Sequence, residues 1–491
     1  MVETNAIVGW TFVVYIALML GIGIYAYRRT QDLSDYILGG RSLGPWPSAL
    51  SAGASDMSGW LLLGLPGYAL AAGFEAFWLA GGLLVGTWLN WLIVAGRLRV
   101  YSQLASDSLT LPEFFEKRFR DNSHLLRIIS AFFILMFFLF YTSSGLVAGG
   151  KLFATVFGMD YFTAVLVGTL AVITYTFFGG FLAVSWTDLV QGLMMCAALV
   201  IVPVILLGET GGVSGTFAAM EAKNPEFLTM FSGMDGEPLT AVAIISLVAW
   251  GLGYFGQPHI LARFSAIRSE ADIPAARRIA TIWTAISLLG ACFVGFGAVS
   301  YLDAGLSDGE TVFMVLVNAL FHPVVAGILL AAILAAVMST ADSQLLVCSS
   351  ALTEDFYKSL FRKDASQKEL VMVGRIAVVA IAAIALLLAR DPDSSVLGLV
   401  SYAWAGFGAA FGPTLILALF WKRMTRNGAL AGIIVGGVTV VIWKQLTGGM
   451  FDIYEIVPGF ILAWIAIYVV SLVTPEPSQE IQDEFDQVAN R

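Results

Sequence analysis

An apolar stretch at residues 47–71 is interrupted by the sequence SAGASDMSG at positions 51–59. The interruption places small residues and one carboxylate, Asp56, inside a segment long enough to cross a bilayer as a helix. In lipid every backbone N–H and C=O group needs a partner, so such a break is tolerated only where it lines a cavity. The alternative is that the small residues allow two helices to pack closely. The carboxylate of Asp56 argues against this alternative, because a packing surface does not need a charged group. The stretch therefore predicts a discontinuous membrane helix.

A second interruption, WGLGYFGQP, occurs at residues 250–258. It lies five apolar spans after the first. Each span crosses the membrane once, so after five spans the chain is on the opposite side. The two units that contain the breaks are therefore expected to be inverted relative to each other in the membrane. Paired interruptions in corresponding halves of a chain indicate a transporter binding site near the bilayer midplane. The two breaks thus predict two inverted repeats with a site between them.

The composition is typical of a chain that lies mostly in lipid. Hydrophobic residues make up 58% of the 491 residues and charged residues 12%, against about 25% charged in soluble domains. This excludes a cytosolic enzyme and a disordered protein, and a net charge of −9 argues against nucleic-acid partners. The three cysteines and three histidines lack metal-ligand or redox spacing. Neither an organic cofactor nor an obligatory protein partner is indicated, and lipid is the expected surroundings.

Thirteen apolar segments are long enough to span a membrane. They are 6–27, 47–71, 74–96, 128–157, 161–180, 187–208, 240–260, 278–302, 312–350, 370–389, 394–420, 428–447 and 455–474. With the N-terminus outside, 22 of the 26 lysines and arginines fall on the inner side, as the positive-inside rule requires. The sequence therefore predicts an all-α polytopic membrane protein of 13 helices with a periplasmic N-terminus and a cytoplasmic C-terminus. The first span is interpreted as a retained helix rather than a signal peptide, and residues 475–491 as a polar, unembedded cytoplasmic tail.

Three aspartates, Asp56, Asp188 and Asp342, fall inside or at the ends of these spans. A bare aspartate at the bilayer centre costs about 2.5–3.5 kcal/mol, and no lysine or arginine in the spans is an obvious partner. A transported cation is one candidate for the missing positive charge; bonding to N–H groups at the breaks and protonation are the alternatives. Ser339 and Ser343 share one helix face, which suits a hard cation, although serine can also bond back to its own helix.

Five stretches resemble the sodium/solute symporter family, and most closely its proline carriers. They are SAGASDMSGWLLLGLPG (51–67), YTSSGLVAGGKLF (141–153), FGGFLAVSWTDLVQG (178–192), WGLGYFGQPHILARF (250–264) and AVMSTADSQLLVCSSALTEDFY (336–357). The resemblance implies one transporter domain, 1–474, in the bacterial inner membrane. Its LeuT-type fold would have two inverted five-helix repeats, 47–208 and 240–420, with one extra helix before them (6–27) and two after (428–474).

The resemblance also implies a set of cation residues. A co-transported Na⁺ would be held by the carbonyls of Ala54, Met57 and Ala336 and the hydroxyls of Ser339 and Thr340. Asp56 is implied to be essential for Na⁺ coupling, and Asp188 to lie on the route of the cation. Asp342 departs from the small or hydroxyl residue usual in the family, and with Ser343 it leaves a second cation or proton site open.

The solute-binding residues implied by the resemblance are Ser58, Gly59, Tyr141, Trp250, Tyr254 and Pro258. Aromatic faces can pack the ring of proline and attract its ammonium group, and N–H groups at broken helices suit its carboxylate. For the aromatic residues, core packing or an interfacial belt is the alternative in a chain that is 13% aromatic. The implied function is Na⁺-driven symport of L-proline into the cell by alternating access. A monocarboxylate or pantothenate is the alternative solute.

Two other classes of protein are weighed against a transporter. A membrane enzyme would need a catalytic constellation at the interface, and the sequence shows none. A transport-like sensor would need an appended signalling domain, and the sequence continues only briefly after the last span. Transport is therefore the expected function, without catalysis.

Overall fold

The computed structural model describes residues 6–27, 37–178, 180–303 and 305–489. Within these ranges the chain is helical and contains no β-strand, only isolated bridges. Ten helices of the described part are long and apolar enough to cross a membrane, or eleven when one bent pair counts as a span. The chain is therefore an all-α, multi-pass membrane protein, as predicted. Arg28, Arg29 and Arg491, which belong to the predicted charge bias, lie outside the described residues.

The α-helices of the described residues are, in chain order, α1 Ala6–Tyr27, α2 Pro45–Asp56, α3 Leu65–Ala72, α4 Ala76–Leu89, α5 Ala95–Leu104, α6 Leu111–Arg118, α7 Leu125–Phe157, α8 Tyr161–Phe178, α9 Phe181–Glu209, α10 Gly212–Lys223, α11 Ala241–Val248, α12 Pro258–Ala266, α13 Ile273–Tyr301, α14 Val312–Leu320, α15 Pro323–Ser350, α16 Gln367–Leu388, α17 Val396–Phe420, α18 Arg426–Trp443, α19 Ile456–Val473 and α20 Gln479–Ala489. Helices α15 and α17 are central in the bundle. In the most apolar part of each span, 83% and 89% is buried inside the protein, whereas the corresponding share for α1 is 28%. Helices that are apolar all round are expected in such central positions.

The first predicted break is confirmed. Helix α2 ends at Asp56, and Met57 leaves the helical region with φ −83° and ψ 76°. The chain resumes as a π-helix at Trp60–Gly64 and continues into α3. The end of α2 thus lies inside the bundle, among buried residues.

The second predicted break is also confirmed. After α11 the chain tightens into a 3₁₀-helix, Ala249–Gly256, extends at Gln257, and restarts as α12 with a bend of 47°. Pro258 stands at the start of α12, where its missing N–H group costs nothing. A side chain on Gly253 would overlap the indole of Trp404, so the 3₁₀ segment packs closely against α17.

The described residues contain ten or eleven candidate spans instead of the thirteen predicted. The difference comes from particular segments that were counted differently. Residues Trp60–Leu104 form one helical run where two spans were predicted, and α8 falls among the shorter apolar helices. The α-helix within this run is interrupted at Gly73, whose φ of 58° suits glycine. The predicted span 312–350 is divided, because α14 ends at Leu320 and α15 begins at Pro323.

The polar tail is not a free extension. Helix α20 places Ile481, Phe485 and Val488 on one buried stripe against the bundle, with the spacing of a helix face. Ion pairs attach its other residues, at 3.0 Å between Arg120 and Glu480 and at 2.6 Å between Lys422 and Asp486. The tail therefore folds onto the basic end of the bundle.

The three cysteines are free thiols. Cys292 and Cys348 are completely buried in the helix bundle, and Cys196 is half-buried.

Candidate functional site

Four of the five predicted Na⁺ donors meet where the end of α2 faces the middle of α15. The hydroxyl of Ser339 donates to the carbonyl of Ala54 at 2.8 Å and lies 3.2 Å from the carbonyl of Ala336. The hydroxyl of Thr340 also points to the carbonyl of Ala54, at 3.2 Å. Met57, the fifth predicted donor, is buried at the break itself. Carbonyl and hydroxyl oxygens are the donors that a hard cation prefers.

The Na⁺ donors predicted from the sequence include no charged side chain. In the part of the chain that the structure describes, no group of three His, Cys, Asp or Glu residues is placed to hold a metal ion. The oxygen atoms that meet at the end of α2 are neutral carbonyl and hydroxyl groups.

The carboxylate of Asp56 contacts the second break. Its Oδ2 accepts a hydrogen bond of 2.7 Å from the hydroxyl of Tyr254. Its backbone carbonyl accepts from the hydroxyl of Tyr141 at 2.8 Å and from the indole of Trp60 at 3.2 Å. Asp56 therefore joins the two interrupted helices and α7, with its side chain buried.

Neighbouring side chains satisfy the irregular backbone of the second break. The indole of Trp404 donates to the carbonyl of Trp250 at 2.6 Å, and the amide of Asn90 donates to the carbonyl of Tyr254 at 2.9 Å. The ring of Trp250 stacks on Tyr454 with centroids 5.4 Å apart. These contacts hold the 3₁₀ segment in place, with Trp250 and Tyr254 buried.

The remaining predicted solute residues divide between two places. Ser58 is buried next to Asp56, while Gly59 packs so tightly that a Cβ there would come within 2.5 Å of the methyl group of Ala148. Pro258 lines a separate small cavity, together with Arg263 and Phe181. The structure thus gathers Ser58, Tyr141 and Tyr254 around Asp56 and places Pro258 apart from them.

The sequence interpretation that the buried acids lack a basic partner is wrong for Asp188. Arg263, which is also completely buried, donates from Nη2 to Asp188 Oδ2 at 3.2 Å. The span was predicted to end at residue 260, which assigned Arg263 to a loop, but α12 continues to Ala266 and carries the guanidinium into the bundle.

Asp342 and Ser343 belong to the same polar cluster. The hydroxyl of Ser343 lies 2.6 Å from Nη2 of Arg263 and 3.3 Å from Oδ1 of Asp342. Asp188 also accepts from the hydroxyl of Ser51 at 2.7 Å. The four predicted coupling residues therefore fall in two groups, with Asp56 at the solute side and the other three around Arg263.

Sequence reasoning missed several residues of the site. Trp60 follows the first break directly and could have been found from its position. Asn90 and Trp404 come from other segments, and nothing in the local sequence pattern distinguishes them from packing residues. Arg263 lies in the quoted stretch 250–264, but it was assigned to a loop.

The sequence profile of the sodium:solute symporter family matches residues 36–436. The chain belongs to this family. Among related proteins, the high-affinity proline transporter PutP of Bacillus subtilis is 53% identical, over 95% of this chain and 98% of its own length. The sodium/proline symporter of Escherichia coli is 55% identical, over 97% and 95%.

Solved structures show the fold of this symporter to be that of LeuT-type transporters. A Na⁺-coupled sialic acid symporter in a substrate-bound, outward-open state superposes with a TM-score of 0.80 at 20% identity, covering 97% of this chain and 100% of that one. MhsT in complex with L-phenylalanine gives 0.51 at 18% identity, covering 87% and 97%. The chain is a sodium-coupled solute symporter, not an enzyme.

Proposed function

We propose that this symporter carries L-proline into the cell together with Na⁺, driven by the Na⁺ electrochemical gradient. The observation that carries the proposal is the 53–55% identity, over nearly the full chain, to proteins named for proline transport. The contact of Asp56 with Tyr254 supports it, because it links the two interrupted helices directly.

The Na⁺ would bind between α2 and α15. Its ligands would be the carbonyls of Ala54, Met57 and Ala336 and the hydroxyls of Ser339 and Thr340. In the described structure these hydroxyls bond to the carbonyls of Ala54 and Ala336. An ion would exchange those hydrogen bonds for coordination, since a hydroxyl oxygen can turn its lone pairs to a cation.

The solute would bind beside Asp56. Tyr141 and Tyr254 supply aromatic faces and hydroxyls there, Ser58 supplies a hydroxyl, and Trp250 extends the aromatic wall along the 3₁₀ segment. The ammonium group of proline would be attracted to the rings and to the carboxylate of Asp56. Gly59 would contribute by letting the break approach α7 closely, and Pro258 by setting the direction of α12.

The proposed architecture has thirteen spans. Two inverted five-helix repeats, 47–208 and 240–420, would form the transporting core, with 6–27 before them and 428–474 after. The two interrupted helices would begin the two repeats. The N-terminus would face the periplasm and the C-terminal tail the cytoplasm of a bacterium, since most lysines and arginines then lie inside.

Transport would proceed by alternating access. Na⁺ binding from outside stabilises the outward-open form, proline then binds, and both are released inward. One charge moved through 100 mV supplies about 2.3 kcal/mol, which corresponds to roughly fifty-fold accumulation even without a Na⁺ concentration gradient. No nucleotide is required for this.

Uptake of radiolabelled proline into proteoliposomes tests the proposal. An inward Na⁺ gradient is expected to drive accumulation, and a K⁺ gradient of the same size is not. Excess unlabelled proline should compete, whereas a monocarboxylate and pantothenate should not. Na⁺-driven uptake of a radiolabelled monocarboxylate or pantothenate, together with no uptake of proline, would assign the site to that solute instead.

A further inference from the structure

Arg263 is a fully buried basic residue whose polar contacts are all internal. Its Nε donates to the hydroxyl of Ser51 at 2.9 Å, its Nη1 to the carbonyl of His259 at 2.9 Å, and its Nη2 to Asp188 and to Ser343. The guanidinium carbon also lies 5.0 Å from the ring centre of Phe181. The side chain is therefore fixed on every side, at the junction of α2, α9, α12 and α15.

The charges around Arg263 do not balance. Asp188 and Asp342 face a single guanidinium, and both carboxylates are completely buried. Asp188 Oδ1 and Asp342 Oδ2 make no hydrogen bond within the described residues. Two ionised carboxylates against one guanidinium would leave one net negative charge in a region of low dielectric constant, where an uncompensated carboxylate is costly. A cation nearby would stabilise it.

The cluster adjoins the proposed Na⁺ site along the same two helices. Ser51 precedes Ala54 by three residues in α2, and Ser343 follows Ser339 by four residues in α15. Residues at these spacings lie on one helix face, one turn apart. The Na⁺ donors and the Arg263 cluster therefore form two successive layers between α2 and α15.

The atoms that surround the guanidinium would themselves suit a Na⁺. Two carboxylates and the hydroxyls of Ser51 and Ser343 are oxygen donors of the kind that hard cations prefer. An arginine side chain, however, stays charged under all conditions that proteins meet and is covalently attached, so it cannot be released to the cytoplasm.

We propose that Arg263 is a tethered cation that takes the place of a second transported ion. It neutralises one carboxylate permanently, and the Na⁺ one turn away neutralises the remaining charge. Arg263 would thereby limit coupling to one Na⁺ per solute molecule. The inference rests on the proposed function, since it assumes the Na⁺ site at Ala54, Ser339 and Thr340.

The test is the Na⁺-to-proline flux ratio of the purified full-length chain in proteoliposomes. The ratio is obtained from the Na⁺ gradient that just balances an opposing proline gradient. The unaltered chain is expected to give one. Arg263→Gln exposes both carboxylates and is expected to give two, with a Hill coefficient for Na⁺ that rises from about one toward about two, the number of sites.

Three further variants separate charge from packing. Arg263→Lys keeps the positive charge, and Arg263→Gln/Asp342→Asn removes one charge of each sign, so both are expected to keep a ratio of one. Arg99→Gln is the matched control, because Arg99 is also buried but bonds to the carbonyl of Ile267 rather than to the acids.

The outcomes distinguish a failure of the proposed role of Arg263 from a failure of the proposed function. A flux ratio of one in a folded Arg263→Gln variant overturns the role of Arg263. A flux ratio of two in the unaltered chain also overturns it, and this ratio can be measured whether or not the variant folds. If Arg263→Gln does not fold, a ratio of two in the charge-balanced double variant also contradicts the role. Absence of Na⁺-driven proline uptake by the unaltered chain contradicts the proposed function instead.

Discussion

The carboxylate of Asp56 and the hydroxyl of Tyr254 are joined by a hydrogen bond of 2.7 Å across 198 residues of sequence. One residue ends α2 and the other lies in the 3₁₀ segment of the second break. Through this contact the two interrupted helices share one polar group. Movement of either helix therefore changes the surroundings of the other, which is the kind of contact that coupling between an ion and a solute needs.

Asp56→Asn is expected to abolish Na⁺-driven proline uptake while leaving membrane insertion intact. The substitution removes the charge and keeps the shape, and a hydrogen bond to a charged group contributes about 1.5–3 kcal/mol, or tenfold or more in affinity. Uptake and membrane content are measured on the same vesicles. Asp160→Asn, at an exposed helix start, is the control and should behave as the unaltered chain. Normal Na⁺-dependent uptake by Asp56→Asn would rule out the assignment.

Ser339→Ala is expected to raise the Na⁺ concentration for half-maximal uptake about tenfold, since loss of one buried polar contact costs about 1–3 kcal/mol. The maximal rate at saturating Na⁺ should change much less. The control is Ser350→Ala in the same helix, whose hydroxyl bonds only to the carbonyl of Leu346. Equal Na⁺ dependence of the two variants would show that Ser339 is not a ligand.

Tyr254→Phe is expected to weaken proline affinity about tenfold, because it removes the hydroxyl that holds Asp56 and keeps the ring. Its effect should be largely absent in an Asp56→Asn background, as expected for two groups in direct contact. Equilibrium binding of radiolabelled proline to the four proteins of this cycle measures the coupling. Tyr161→Phe, which loses a hydroxyl bonded to the carbonyl of Ala389, serves as control. Additive effects would mean that the two side chains act independently.

Asp121 gives a prediction for the pH dependence of stability. Burial by itself would raise the pKa of Asp121, but hydrogen bonds from Ser123 and the N–H group of Leu126, with the charge of Arg426, hold it below its usual value. The carboxylate therefore stabilises the fold at neutral pH, and this contribution is lost as the pH falls through the lowered pKa.

Asp121→Asn is accordingly expected to lower the thermal unfolding temperature at pH 7, and the difference from the unaltered chain should shrink in acid. Unfolding in detergent is followed at a series of pH values. Asp235→Asn, in an exposed loop, should show no such dependence. A difference that stays constant with pH would exclude an electrostatic origin.

The two breaks were predictable because they are local. Glycine, serine and proline inside an apolar span leave few conformations that satisfy the backbone, so SAGASDMSG and WGLGYFGQP indicated where the helices stop. Local spacing also placed Ser339 and Ser343 on one helix face, whereas Thr340 was suggested as a ligand only by the family resemblance.

The partners of the breaks were not predictable, because they come from distant parts of the chain. Trp404 bonds to Trp250 across 154 residues, and Asn90 to Tyr254 across 164. Arg263 was assigned to a loop since hydropathy alone ends the span at the first charged residue, whereas α12 continues past it. The stripe of Ile481, Phe485 and Val488 has helical spacing, but the acidic composition of the tail concealed it.

The burial of the thiols has a practical consequence. Cys292 and Cys348 are enclosed and Cys196 is only partly accessible, so a maleimide or nitroxide reagent would meet little native background. A single reporter at the exposed Gln487 of α20 would then give a spectroscopic signal for the attachment of this helix during turnover, in an otherwise unaltered chain.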